Sequence, residues 1–213
     1  MSKLKKNALA FLLWSTLAGT ISFFISSVLI AVVMLHVDLV IFDTIFAGGI
    51  GGLLLGIFLL KQLQIRKMVL AGFISVPIGF WSAFILAGGV DLLFSLIGVN
   101  SENPNISGIG NIIGIIFMGL ICGAIFGAII YGRRSIWLFS TVCGVISFPF
   151  GILVGLFNSD HPIKAMIENL LAVFGPIDLN FLAIITSFGI GIGLSIGLYE
   201  RIKQNGIVKR SAS

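Results

Sequence analysis

Between its few charged positions the chain runs in long apolar stretches, near residues 8–35, 44–60, 68–90, 109–132, 135–157 and 181–199. Crossing the roughly 30 Å hydrocarbon core of a bilayer takes about 20 helical residues, and all but the second run approach or exceed that length. Lipid offers backbone N–H and C=O groups no partner, so a spanning segment must satisfy them internally. Runs much longer than a barrel strand do so as α-helices. The pattern predicts an all-α, polytopic membrane protein with six transmembrane helices in a single domain over residues 1–213.

Small residues recur inside these runs at helical spacing. Gly48, Gly52 and Gly56, then Gly119, Gly123 and Gly127, then Gly189, Gly193 and Gly197 each follow an i, i+4, i+8 pattern shortly before a basic residue. Four residues carry the helix about 40° past a full turn, so each triplet makes one shallow groove about 12 Å long. In water each glycine would weaken a helix by about 1 kcal/mol relative to alanine, whereas in lipid it lets a second backbone come close. These glycines are expected at helix-packing positions.

A second motif marks the odd helices: LAGTIS from Leu17 to Ser22, LAGFIS from Leu70 to Ser75 and VCGVIS from Val142 to Ser147. The last two continue into Pro77 and Pro149, which lie 72 residues apart, while the glycine triplets are offset by 71 and then 70. Near-constant offsets between separate motifs predict internal duplication. The unit is one odd and one even helix, starting each time on the same side. That makes three parallel two-helix repeats, at about 8–60, 68–132 and 135–199, followed by a basic tail at 200–213.

Charge placement sets the orientation. Lys3, Lys5, Lys6, Lys61, Arg66, Lys67, Arg133, Arg134, Arg201, Lys203, Lys209 and Arg210 gather at one set of helix ends, with Glu200 among them. Asp38, Asp43, Asp91, Glu102, Asp160, Glu168 and Asp178 gather at the other, with Lys164. By the positive-inside rule both termini are expected in the cytoplasm, in a cell membrane of the bacterial cytoplasmic type. The formal net charge of +5 is then a topology signal and calls for no nucleic-acid partner. With 58% hydrophobic and 10% charged residues, a soluble domain of this size is excluded. Thr16 and Ala18 resemble a signal-peptidase site, but the apolar run continues to Leu35 and contains LAGTIS, so a retained first helix is expected.

The second and third units carry longer outer segments than the first. Ile163, Met166, Ile167, Leu170, Leu171 and Phe174 fall at helical spacing opposite Lys164, Glu168 and Asn169, which predicts an amphipathic helix lying at the outer interface. Asp160 is placed to cap it and Pro162 to begin it. Val90, Leu93, Phe94 and Ile97 repeat the spacing more weakly. Such segments cover helix ends or serve as lids.

Chemistry-bearing residues are sparse. Ser22, Ser75 and Ser147 sit in small-residue stripes of the odd helices, and Pro77 and Pro149 free the carbonyls of Phe73 and Val145. These five are candidates for lining or hinging a narrow, weakly polar passage, against the plainer reading that they only pack and curve helices. Gly193 to Gly197 matches GxSxG, but both its glycines belong to the third triplet. The only histidines, His36 and His161, lie at the outer side, away from Ser195. Cys122 and Cys143 align with Gly51 and Ala71 in the repeat and read as small packing residues. The outer acids and histidines match no metal-ligand spacing.

Kinked odd helices beside glycine-lined even ones, in three two-helix repeats, resemble the mitochondrial carriers in architecture. No acidic residue follows Pro77 or Pro149 at the carrier position and the repeat is far shorter, so the family is not assigned.

No charge lies at a helix centre, where one costs about 2.5–3.5 kcal/mol and is usually kept for coupling or catalysis. The chain is expected to have no enzymatic activity, cofactor or metal. One functional expectation is a transporter-like or pore-like protein for a neutral or weakly polar small solute. The alternative is a non-transporting membrane subunit, an assembly, immunity or scaffold factor. Its glycine faces would pack internally, in a homo-oligomer or on a membrane-protein partner. The lipid bilayer is the partner common to both.

Overall fold

The computed structural model describes residues 2–33, 40–59, 64–97, 104–157, 162–171 and 178–211. Its elements are helices: α1 (Ser2–Val33), α2 (Val40–Phe58), α3 (Ile65–Leu96), α4 (Pro104–Tyr131), α5 (Ile136–Phe157), α6 (Pro162–Leu171) and α7 (Leu179–Ser211). A 3-10 turn, Arg133–Ser135, joins α4 to α5. Among the described residues, five segments are long and apolar enough to cross a membrane: Leu9–Val32, Ile65–Leu96, Ile109–Tyr131, Arg133–Phe157 and Leu179–Lys203. The apolar part of α2, Phe42–Phe58, is shorter.

Several helices run past their apolar stretches. α3 does not stop near residue 90 but continues through Asp91 to Leu96, and its 32 residues rise about 48 Å, well beyond the hydrocarbon core. α7 likewise carries the basic tail as helix to Ser211. Apolar run length reports the membrane's thickness, whereas a helix ends where propensity or a cap ends it, and Glu200 to Lys203 are largely good helix formers.

The helices close into a ring in chain order. α1 packs on α2, α2 on α3, α3 on α4, α4 on α5, α5 on α7, and α7 returns to α1. Across the ring α4 also meets α7, and α6 lies against α5. A buried cluster drawing on all six long helices includes Phe23, Leu55, Met68, Phe126, Phe139 and Phe188.

Local chemistry explains the ends. Asp178 caps α7: its carboxylate accepts from the N–H groups of Asn180 at 2.9 Å and Phe181 at 3.3 Å. The Trp14 indole N–H donates to the Phe58 carbonyl at 3.2 Å, occupying one of the acceptors left over in the last turn of α2. After α4, Gly132 adopts φ 82 and ψ −173, a region essentially confined to glycine. The Ser135 hydroxyl then bonds the carbonyls of Gly127 and Gly132, each at 2.8 Å, and ties the turn to α4.

α6 packs on the bundle through only part of its expected apolar face. Leu171 is buried and Ile167 partly so, in a cluster with Val154 and Phe157 of α5 and Leu179 and Leu182 of α7, while Met166 and Leu170 are exposed. Asp160, Phe174 and the side chain of Ile163 lie outside the described residues.

Candidate functional site

The glycine triplets stand at the α2–α3, α4–α5 and α7–α1 contacts. A Cβ added at Gly48 or Gly52 of α2 would run into the carbonyls of Gly72 or Met68 on α3. At Gly119 or Gly123 of α4 it would meet those of Cys143 or Phe139 on α5, and at Gly189 or Gly193 of α7 those of Gly19 or Ser15 on α1. In each pair the second carbonyl lies four residues before the first, so the three contacts share an antiparallel register. The third glycines meet side chains: Gly56 faces Ile65, Gly127 faces Phe139, and Gly197 faces Leu12 and Ser15. α5 is one residue out of step. Where α1 and α3 present the motif glycines Gly19 and Gly72, α5 presents Cys143, and Gly144 faces the Leu120 side chain instead.

The five passage or hinge candidates separate by face. Ser22, Ser75 and Ser147 are buried, whereas Pro77 is half-buried and Pro149 exposed. Two residues along a helix are about 200° apart, so a serine facing inward puts the proline two positions later outward. Phe73 and Val145, whose carbonyls the prolines free, are also on exposed positions. Ser22 donates to the Ala18 carbonyl at 2.6 Å, and Ser147 Oγ lies against Gly119. Ser75 Oγ is buried with no hydrogen-bond partner among the described residues. Beside it, the Cys122 thiol fills the hollow over Gly79 and bonds the Ser75 carbonyl at 3.1 Å.

Aromatic side chains occupy the interior, a role the sequence pattern did not single out. In ring order α1 lies opposite α4, and α3 opposite α7. Phe188 of α7 joins the first pair, edge-on to Phe23 at 5.0 Å and to Phe126 at 5.9 Å. Phe80 and Phe181 join the second at 6.5 Å. A third layer, at the end carrying the basic residues, stacks Tyr131 on Tyr199 at 4.4 Å with Phe139 beside both. There the Tyr131 hydroxyl donates to Glu200 at 3.1 Å. Phe23, Phe126 and Phe139 are fully buried, and Gly51 of α2 gives the Phe23 ring its space. With 19 phenylalanines in the chain, only their pairing across the ring distinguishes these few.

Ser195, at the centre of the GxSxG match, is buried on α7 and donates to the Gly191 carbonyl at 2.7 Å. The Cys143 thiol lies 4.0 Å from its hydroxyl. A helical, buried serine spent on its own backbone is not an activated nucleophile. His36 and His161 lie outside the described residues. Both cysteines are free and buried, and no three His, Cys, Asp or Glu side chains converge among the described residues. What the interior offers is an apolar, aromatic axis with serine hydroxyls behind it.

No protein-family profile, curated protein or solved structure matches the chain.

Proposed function

We propose that this integral membrane protein crosses the bilayer six times as three parallel two-helix repeats, with both termini cytoplasmic. In this reading it is transporter-like, passing a neutral or weakly polar small solute, and it is held here in a closed state. The observation that carries the reading is the closed ring of helices whose axis is occupied by the Phe23, Phe188 and Phe126 side chains. Glycine faces spent on neighbouring helices of the same chain draw the ring tight, and the buried polar side chains among the described residues, all serine or threonine, suit an uncharged solute.

Reconstitution into liposomes followed by stopped-flow light scattering with glycerol, urea and small polyols tests it. Protein-dependent permeation of one of these is expected, rising several-fold in Phe188→Ala or, should that variant misfold, in Phe188→Leu. No permeation above empty liposomes with either variant would sink the transport reading. Close packing of the axis favours one competing reading, a non-transporting scaffold or assembly subunit. A stoichiometric membrane protein co-purifying in mild detergent supports that alternative.

A further inference from the structure

We propose that the α4–α5 turn is a docking site for an anionic phospholipid headgroup of the leaflet it faces. This rests on the chain being a membrane protein and not on its transporting anything. Arg133 and Arg134 are adjacent, exposed, and without a carboxylate partner among the described residues. Trp137 follows at i+4 and i+3 from them and is 82% exposed, on the first turn of α5. An indole so placed belongs at the boundary between headgroups and acyl chains, and a guanidinium fork fits a phosphodiester with two parallel hydrogen bonds.

The turn that presents these groups is held from below. Ser135 is buried with its hydroxyl on the Gly127 and Gly132 carbonyls, and Gly132 fixes a backbone that other residues avoid. The backbone that carries the two arginines and the indole is thus fixed, so a headgroup there has only their side chains to order. The acid of this end, Glu200, is engaged by Tyr131. Of the other basic residues whose side chains are described, Arg66 and Lys67 stand on α3, Lys164 on α6, and Arg201 and Lys203 on α7.

Native mass spectrometry of the full chain, released from bilayers of equal phosphatidylglycerol and phosphatidylcholine, reads the site. The protein is expected to retain phosphatidylglycerol preferentially, and Arg133→Gln with Arg134→Gln to lower that retention at least five-fold. Arg201→Gln with Lys203→Gln removes the same charge and is expected to leave it unchanged. Equal retention in the Arg133/Arg134 variant and the unaltered protein overturns the proposal, as does equal loss in both variants, which would mark a general charge effect. A second measurement needs no variant: thermal stabilisation of the unaltered protein by phosphatidylglycerol, but not by phosphatidylcholine or inorganic phosphate. Matching stabilisation by inorganic phosphate would assign the corner to a free anion and overturn the lipid.

Discussion

Gly123, Gly88 and Gly132 are glycines in three different situations, and substitution separates them. At Gly123 a Cβ would collide with the Phe139 carbonyl and the Cys143 Cβ, which are backbone-held and cannot yield. Gly123→Leu is expected to cost about 3 kcal/mol or more through overpacking, seen as a large fall in the thermal midpoint in detergent or as misassembly. Gly88, in the C-terminal part of α3, has nothing within 4 Å of its added Cβ. There alanine should be neutral or should raise stability by up to about 1 kcal/mol through helix propensity. Gly132 is equally open yet is held at φ 82, so Gly132→Ala is expected to destabilise by about 1–3 kcal/mol. Spacing in the sequence marks Gly123 and not Gly132. A triplet at i, i+4, i+8 is visible in a string of letters, whereas a single backbone dihedral is not.

At the scale of elements, apolar length located the helices but not their ends. α3 outruns its expected boundary by six residues and α7 continues through the basic tail, since hydropathy changes at the membrane surface while helix propensity does not. α2 is the element on which topology turns, because its apolar part is shorter than the other spans. Cysteines introduced singly by Asp38→Cys and Gln62→Cys, in a Cys122→Ala, Cys143→Ala background, are expected to react with an impermeant maleimide from opposite sides of the membrane. Labelling from the same side would reduce α2 to a re-entrant segment and leave five crossings. Ser75 and Pro77 illustrate a face effect readable in advance. Two positions apart on a helix, they could never line the same surface, and the burial of one with the partial exposure of the other follows from that 200° separation.

For the whole molecule, the defining contacts are those that cross the ring. The α4–α7 contact includes the Tyr131–Tyr199 stack and the Tyr131–Glu200 hydrogen bond. Tyr131→Phe keeps the ring stacking and removes the bond to a carboxylate. It is expected to cost about 1 kcal/mol, discounted from the usual range for a charged partner because the pair is partly solvated. Thermal unfolding of Tyr131→Phe and Glu200→Gln, singly and together, checks this: a double variant no worse than either single one shows that the two residues act through one contact. Chain order alone allows many ring geometries. That α7 leans toward α4 reflects where Phe126, Phe188, Tyr131 and Tyr199 find room, and such room exists only after all six helices are in place.

The sequence by itself determined that this chain is helical and lives in a membrane. Those conclusions depend on summed hydropathy and backbone hydrogen-bonding need, both properties of consecutive residues. It also marked close-approach faces by glycine spacing, because a helix face is a local object. Only the tertiary structure decided which helix lies against each face, that α5 sits one residue out of step, and that aromatic side chains rather than serines meet on the axis. These are relations between residues as far apart as Phe23 and Phe188, set by competing packing across six helices, and no local pattern encodes the winner.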